Sequence, residues 1–128
     1  MRLSSIAALA LLVPTAAFAR DARTVDQVLA GRTAGKPQSC ISQPQIEDTQ
    51  MFDSGAILYR MRGGTDYLNT PPGCRGVLRP DKAIASRTPS TSLCRGDILR
   101  VFDPFSHMDY GSCGLGDFVP YPRIKKPQ

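Results

Sequence analysis

The stretch CRGVLRPDKAIASRTPSTSLCRGDILR, residues 74–100, decides the fold. It opens with Cys-Arg-Gly-Val-Leu-Arg and closes with Cys-Arg-Gly-Asp-Ile-Leu-Arg, so Cys74 and Cys94 occupy equivalent places in a repeated phrase. A short run of strand-forming residues and the turn Thr88-Pro89-Ser90-Thr91 lie between the two cysteines. This pattern predicts a β-ribbon that is tethered by a disulfide.

The N-terminal residues have the pattern of a secretory signal. Arg2 supplies the positive charge, residues 6–13 are apolar, and a small-x-small cleavage site ends at Ala19. The apolar run is shorter than the about 20 residues that span a bilayer, and Pro14 interrupts it. The sequence therefore predicts a signal peptide over residues 1–19, export to the periplasm or the medium, and no membrane span.

The rest of the chain divides into three parts. Residues 20–39 form a leader, in which Thr24 and Gln27 make a capping box that predicts a short helix. Residues 40–122 contain the four cysteines, and residues 123–128 form a basic tail. The net charge of +5 favours an anionic envelope component or a protein as partner. Specific nucleic-acid binding is not expected, because few aromatic residues accompany the arginines.

Four cysteines in an exported chain imply two disulfides. We favour the nested pairing, Cys74 with Cys94 and Cys40 with Cys113, because it ties the repeated phrases together. The sequential pairing, Cys40–Cys74 with Cys94–Cys113, stays open. No Cys-x-x-Cys spacing occurs in the sequence, so neither a thioredoxin-type redox site nor a zinc ribbon is indicated.

Most of the chain after residue 45 has strand patterns. Residues 56–62 are the clearest strand, and Gly63-Gly64 predicts a two-residue hairpin loop before a returning strand at residues 65–70. Further strands are predicted at residues 46–52, 77–78, 83–87, 97–102 and 115–121, with residues 103–112 as an irregular connection. The sequence thus predicts a mainly β fold: a small disulfide-bridged antiparallel sheet or a partly closed barrel, preceded by a short N-terminal helix.

The predicted hairpin loop also sets a register between its two strands. A two-residue loop places Arg60 opposite Tyr67 and Tyr59 opposite Leu68. One face of the hairpin then carries apolar side chains, and the other, facing water, carries Arg60, Arg62 and Tyr67. Guanidinium groups and a tyrosine ring suit a carboxylate, a phosphate or an anionic glycan. These three residues are the predicted binding surface.

Seven short phrases of the chain occur together: Leu29 to Gly35, Cys40-Ile41, Ile57 to Arg60, Tyr67 to Asn69, Cys74, Leu93 to Asp97 and Cys113 to Tyr121. With these phrases the chain resembles an uncharacterised family of small exported four-cysteine proteins from proteobacteria, a domain of unknown function. The resemblance covers residues 29–121 and rests on the cysteine framework and on a Leu-Cys-x-Gly-Asp phrase. It implies a periplasmic or secreted location and carries no activity, cofactor or catalytic residue.

The tripeptide Arg95-Gly96-Asp97 has the sequence of an integrin ligand. Recognition by an integrin needs the tripeptide at an exposed, mobile loop tip, whereas a cysteine and a predicted strand flank this one. A turn is the better interpretation, with Gly96 at an unusual φ and Asp97 accepting hydrogen bonds from nearby backbone N–H groups.

The loop that contains the only histidine is the one candidate for a catalytic or metal-binding site. Asp103, His107 and Asp109 offer oxygen and nitrogen ligands for a metal, and Ser106 or Asp109 could partner His107 in acid–base work. Asp103-Pro104 is also a common turn start. We therefore assign no catalytic residue, no metal ligand and no cofactor.

The leading functional hypothesis is an exported, non-enzymatic β module that binds a periplasmic or envelope partner. A small extracytoplasmic enzyme or metal-binding protein that uses the loop Asp103 to Asp109 is the first alternative. An inhibitor of an extracytoplasmic hydrolase is the second, by analogy with other rigid disulfide-tied domains.

Overall fold

The computed structural model describes residues 23–125. The predicted signal peptide (residues 1–19) and the last three residues of the predicted basic tail lie outside this range. The described chain contains one short α-helix, α1 (Val25–Val28), two 3-10 helices (Gln43–Gln45 and Pro72–Cys74) and nine strands. The strands are β1 (Cys40–Ser42), β2 (Ile46–Met51), β3 (Ile57–Met61), β4 (Thr65–Asn69), β5 (Ala83–Arg87), β6 (Ser92–Cys94), β7 (Ile98–Phe102), β8 (Asp109–Gly114) and β9 (Phe118–Pro122).

The strands form three antiparallel sheets. The largest has the order β2-β3-β4-β9, the second has the order β5-β7-β8, and β1 pairs with β6 in the third. The mainly β fold with antiparallel pairing is confirmed. The partly closed barrel is not, since the strands of the described residues stay in three separate sheets.

Strand β8 begins inside the segment that the sequence predicted as an irregular connection, residues 103–112. Its residues pair with β7 from Ile98↔Gly114 to Phe102↔Asp109. Two glycines and a serine in this segment lower its intrinsic strand preference. Pairing with β7 and the disulfide of Cys113 with a distant cysteine outweigh that local preference. Neither contact can be predicted from the sequence of this segment alone.

The hairpin between β3 and β4 has a different register from the predicted one. Tyr59 lies opposite Tyr67 and Leu58 opposite Leu68, so residues 62–64 form a three-residue loop, with Gly64 at φ +86°. A three-residue loop that contains a glycine in the left-handed conformation is a common alternative to a two-residue loop in hairpins. A slip of one residue moves a side chain to the other face of the sheet. Tyr67 therefore shares a face with Tyr59, and not with Arg60.

Strand β3 is buried on both faces, so the prediction of one water-facing side is wrong. Ile57, Tyr59 and Met61 belong to one apolar cluster, and Leu58 belongs to a second. The first cluster also contains Ile41, Cys74, Leu78, Leu93, Leu99, Val101, Cys113, Leu115 and Phe118. The second also contains Leu29, Phe52 and Ala56, with Val25, Val28, Leu68 and Tyr121 packed against it.

The segment predicted as a leader packs against the largest sheet. Thr24 accepts a hydrogen bond from the N–H of Gln27 at 3.3 Å, and the Gln27 side chain accepts one from Thr24 N–H at 3.0 Å, so the capping box is formed. Leu29 is buried in the second apolar cluster. Gly35 donates to Pro120 and Gln38 exchanges two hydrogen bonds with Phe118. The leader thus covers the face of β3 that was expected to meet water.

The disulfides join Cys40 to Cys94 and Cys74 to Cys113. The nested pairing predicted from the sequence is therefore wrong, and so is the sequential alternative. Cys40 lies directly opposite Cys94 in the β1–β6 pair, with the two Cα atoms 4.0 Å apart. The repeated phrase misled the prediction, because Cys74 ends a 3-10 helix (Pro72–Cys74) whereas Cys94 ends a strand. The two phrases are similar in sequence and different in structure.

A buried carboxylate joins both ends of the described chain to β4. Asp66 has no exposed surface, and its carboxylate lies 3.0 Å from Arg32 Nη2 and 2.8 Å from Arg123 Nη2. Arg32 also donates to the carbonyl of Tyr121, and Arg123 donates to the carbonyl of Met61. One charge on β4 is thus shared by an arginine from the leader and an arginine that follows β9.

The side chain of Tyr59 is buried although it carries a polar hydroxyl group. Its hydroxyl has no hydrogen-bond partner among the described residues, and burial raises the pKa of this phenol.

We expect Tyr59→Phe to raise the free energy of unfolding by about 1 kcal/mol, because an unsatisfied buried hydroxyl is removed without loss of ring packing. Urea unfolding measures the change. The control Tyr121→Phe removes the hydroxyl of a half-buried tyrosine, and we expect its free energy of unfolding to stay within about 0.5 kcal/mol of wild type. A loss of stability in Tyr59→Phe would contradict the prediction.

Candidate functional site

The structure does not bring the three predicted binding residues together. Arg60 lies next to β2, where it donates to the Gln50 side chain and its Nε is 3.8 Å from the Asp48 carboxylate. Arg62 is exposed in the β3–β4 loop. Tyr67 is half-buried on the opposite face from Arg60 and packs against the first apolar cluster. The predicted arginine–tyrosine stacking is therefore absent between Arg60 and Tyr67, and a ligand role for these residues stays a prediction.

Tyr67 instead lines a groove between β1 and the β3–β4 hairpin, which we call the β1 groove. Its volume is about 370 Å³, within the range of sites that hold small ligands or peptide segments. None of its lining residues carries a charge. They are Gln38, Cys40, Ile41, Ser42, Gln45, Met61, Gly63, Thr65 and Tyr67.

The second candidate surface is the loop between β7 and β8. Phe105, which is 93% exposed, and Met108, which is 59% exposed, protrude from this loop, and Tyr110, which is 43% exposed, protrudes from the beginning of β8. We call these three residues the apolar tip. Isolated apolar side chains on a surface are ordinary, but neighbouring exposed apolar residues in one loop mark interaction sites.

The backbone of this loop is held by hydrogen bonds. The Asp103 carboxylate accepts from Phe105 N–H at 2.8 Å and from Ser106 N–H at 3.0 Å, and these bonds hold the pKa of Asp103 below its usual value. The Asp103 carbonyl accepts from His107 N–H, and Met108 accepts from Asp103 N–H, both at 2.9 Å. Phe105 is thus displayed on a closed turn. The predicted turn start at Asp103-Pro104 is confirmed.

Lys82 joins this loop to the beginning of β5. Its ammonium group lies 3.5 Å from the Asp103 carboxylate and 4.2 Å from the centre of the Tyr110 ring. A third contact at 3.0 Å is made with Asp81. The Lys82 side chain is only 11% exposed. It therefore stabilises the apolar tip and is not accessible to a ligand.

The histidine and the aspartates of this loop do not come together in an ion pair or in a three-residue cluster. His107 is exposed and has φ +60°, and within residues 23–125 no carboxylate forms an ion pair with it. Asp109 binds Arg100 at 3.0 Å and the N–H of Gly111 at 2.9 Å, which lowers the pKa of its carboxyl. Residues 23–125 contain no group of three His, Cys, Asp or Glu side chains placed to hold a metal. The two aspartates instead stabilise the loop.

Arg95-Gly96-Asp97 forms a turn, as the sequence predicted. Gly96 has φ +88°, and Asp97 accepts a hydrogen bond from Cys94 N–H at 2.7 Å. Arg95 lies 3.4 Å from Asp117. The tripeptide is therefore part of the connection between β6 and β7.

Comparison with protein-family models, curated proteins and solved structures finds no match to this chain. The resemblance to exported four-cysteine proteins therefore stays a prediction. Within the described range, no helix has the length and apolar character needed to cross a bilayer.

Sequence reasoning missed the apolar tip and found only one residue of the β1 groove. Phe105 and Met108 stand in a segment with proline, serine and aspartate neighbours, where apolar residues cannot follow a strand alternation. Apolar residues in a segment of turn-forming residues are the signal that could have identified the apolar tip. No comparable signal exists for the groove, because its walls come from segments that are distant in sequence.

Proposed function

We propose that this chain is an exported, non-enzymatic β module that binds a protein partner in the periplasm or envelope through its apolar tip. The observation that carries the proposal is the 93% exposure of Phe105 on a hydrogen-bonded turn. Transfer of a phenylalanine side chain from water to an apolar pocket is favourable by about 1.5–3 kcal/mol. Aromatic residues that enter such pockets are the usual anchors of protein interfaces.

The closed turn favours binding because it reduces the entropy that is lost when the loop docks. Loops that order only on association lose conformational freedom at that moment, which weakens binding. Here Asp103 accepts three hydrogen bonds within its own loop, and Lys82 contacts both Asp103 and Tyr110. Phe105 and Met108 are therefore presented on a backbone that is already ordered.

The compartment in this proposal rests on the cysteines. The two disulfides indicate a non-cytoplasmic protein. Export through the signal at residues 1–19, which lie outside the described range, and membership of the four-cysteine family are parts of the proposal.

The two alternative functions receive less support from this geometry. An inhibitor that imitates a hydrolase substrate would present an extended backbone, whereas the bond from His107 N–H to the Asp103 carbonyl closes a tight turn. An enzyme that uses the loop Asp103 to Asp109 would need these aspartates free to act, and both are bonded within the hairpin.

A pull-down from envelope extract tests the proposal. We expect Phe105→Ser to lower recovery of the partner by at least about tenfold, because loss of an anchor residue typically costs 2 kcal/mol or more. Tagged protein is incubated with the extract, and the bound proteins are quantified by mass spectrometry. The matched control is Ile124→Ser, which removes another exposed apolar side chain, at a different place on the surface.

The control separates the apolar tip from general surface hydrophobicity. Equal losses in both variants would indicate non-specific adsorption, and an unchanged partner profile in Phe105→Ser would remove the tip from consideration. The disulfide pattern and the unfolding curve of each variant should match wild type, since both side chains are exposed.

A further inference from the structure

Strand β1 has a free edge, which follows from its pairing with β6. In an antiparallel pair, alternate residues direct both their N–H and C=O groups to the partner, and the residues between them direct these groups away. Ser39 O accepts from Arg95 N–H and Gln43 N–H donates to Thr91 O. Residues 39, 41 and 43 therefore bond to β6, and residues 40 and 42 direct their backbone groups to the opposite edge.

The disulfide supports the same assignment. Cys40 and Cys94 are direct partners with Cα atoms 4.0 Å apart, the close spacing of a pair that exchanges no backbone hydrogen bonds. Cys94 N–H donates to the Asp97 carboxylate instead, and its carbonyl accepts from Asp97 N–H. The backbone groups of Cys94 thus turn away from β1, as those of Cys40 turn away from β6.

Within residues 23–125, the N–H and C=O of Cys40 and the N–H of Ser42 have no backbone partner on this edge. The carbonyl of Ser42 is engaged, because Ser42 is the N-cap of the 3-10 helix Gln43–Gln45. Earlier along the same edge, Gln38 exchanges two hydrogen bonds with Phe118 at 2.8 Å each. The pairing ends there, because β9 begins at Phe118. Cys40 and Ser42 are both exposed, and both border the β1 groove.

We propose that the β1 groove binds an uncharged peptide segment, which adds to β1 as an extended strand. Cys40 and Ser42 supply two donors and one acceptor to its backbone, and Met61, Thr65 and Tyr67 contact its side chains. The peptide is uncharged because no lining residue of the groove carries a charge, and a charged side chain would lose its hydration without gaining a partner.

Pairing of β1 with a second copy of itself is less favourable than peptide binding. Strand β1 is three residues long. It is followed by the 3-10 helix Gln43–Gln45, in which Pro44 has no N–H group to extend a ladder. Two copies would therefore form few hydrogen bonds, whereas a longer peptide can also cover Tyr67 and Thr65.

The substitution Ser42→Pro tests the edge with little disturbance of the fold. Ser42 has φ −79°, close to the value that proline imposes, and its N–H makes no bond to β6. Proline removes this donor and places its ring on the free edge. The matched control is Ser42→Ala, which changes the side chain and keeps the N–H.

The probe is a displayed library of random peptides of about ten residues, selected on the full-length wild-type protein with its disulfides intact. We expect enriched sequences with uncharged residues in an apolar alternation. Fluorescence anisotropy of the best peptide should give equal affinity for wild type and Ser42→Ala, and about tenfold weaker binding to Ser42→Pro. Hydrogen exchange of the Cys40 and Ser42 amides should slow when this peptide is bound.

Three results would overturn the inference. Selection could enrich no sequence, or the enriched peptide could bind Ser42→Pro as tightly as wild type. Sedimentation could show a wild-type dimer that Ser42→Pro abolishes, which would assign the edge to self-pairing. Phe105→Ser should leave peptide affinity unchanged, so failure of the β1 groove and failure of the apolar tip are distinguishable.

Discussion

Replacing Asp66 by alanine is expected to lower the free energy of unfolding by about 3–5 kcal/mol. The substitution leaves Arg32 without its carboxylate, and this side chain is only 9% exposed. A buried charge without a partner keeps its desolvation penalty and loses the attraction that offset it. Arg123 loses two contacts to the same oxygen, at 2.8 Å and 3.0 Å. Urea unfolding followed by circular dichroism measures the change.

Asp117→Ala is the matched control for this prediction. Asp117 also pairs with an arginine, but both side chains of that pair are exposed, and exposed pairs contribute about 0–1 kcal/mol. A loss of less than about 1 kcal/mol in Asp66→Ala would show that water relieves Arg32, and would contradict the structural role we assign to Asp66.

The same cluster predicts a dependence of stability on pH. Burial of Asp66 opposes its ionisation, but the hydrogen bonds from Arg123 and Arg32 and the charge of Arg123 prevail and hold the pKa of this carboxyl below its usual value. The unfolded chain binds the proton more readily, at a pKa of about 3.9. The contribution of Asp66 is therefore fully present above that pH and is lost as the pH falls towards the lower folded pKa. Asp66→Asn should remove this part of the acid dependence, which unfolding curves across the acid range would show.

Removing the disulfide between Cys74 and Cys113 is the second change with a large expected effect. The two cysteines are 39 residues apart, so on the loop-entropy argument the double substitution to alanine lowers the free energy of unfolding by about 4 kcal/mol. Both cysteines are buried in the first apolar cluster. Loss of their sulfur atoms therefore also reduces packing, which adds to the entropic loss.

The other disulfide provides the matched comparison. Cys40 and Cys94 are 54 residues apart, and the entropic argument alone makes their bond slightly the stronger of the two. Cys40 is exposed, however, so its removal disturbs little packing. We expect the Cys74–Cys113 double variant to be the less stable in denaturant unfolding. The reverse order would mean that loop length outweighs core packing here.

Peptide mapping without reduction checks the pairing itself. Fragments that link Cys74 to Cys113 and Cys40 to Cys94 are expected. A fragment that links Cys74 to Cys94 would restore the pairing predicted from the repeated phrase and contradict the structure.

The local features of the fold could be predicted because their partners lie within a few residues. The capping box of Thr24 and Gln27, the turn at Gly96 and the turn at Asp103 all form between residues at most five positions apart. The mainly β class also follows from composition and alternation. These interactions depend on neighbouring residues whatever the rest of the chain does.

The candidate surfaces could be predicted only in part. Tyr67 was identified from its hairpin, but its face depends on a loop of three residues where two were expected, and one residue of register reverses the face. Phe105 was not identified from the sequence, because the residues around it are typical of a turn. The loop that carries Phe105 is also contacted by Lys82, which precedes β5 and binds Asp103 and Tyr110.

The sequence by itself determined that this is a small β protein with two disulfides, and where many of its strands and turns lie. Only the tertiary structure decided which cysteines pair, which arginines enclose Asp66, and which edge of β1 stays open. Each of these depends on residues that are 34 to 57 positions apart. Contacts over such distances are selected by the packing of the whole core, and no local pattern of residue types specifies them.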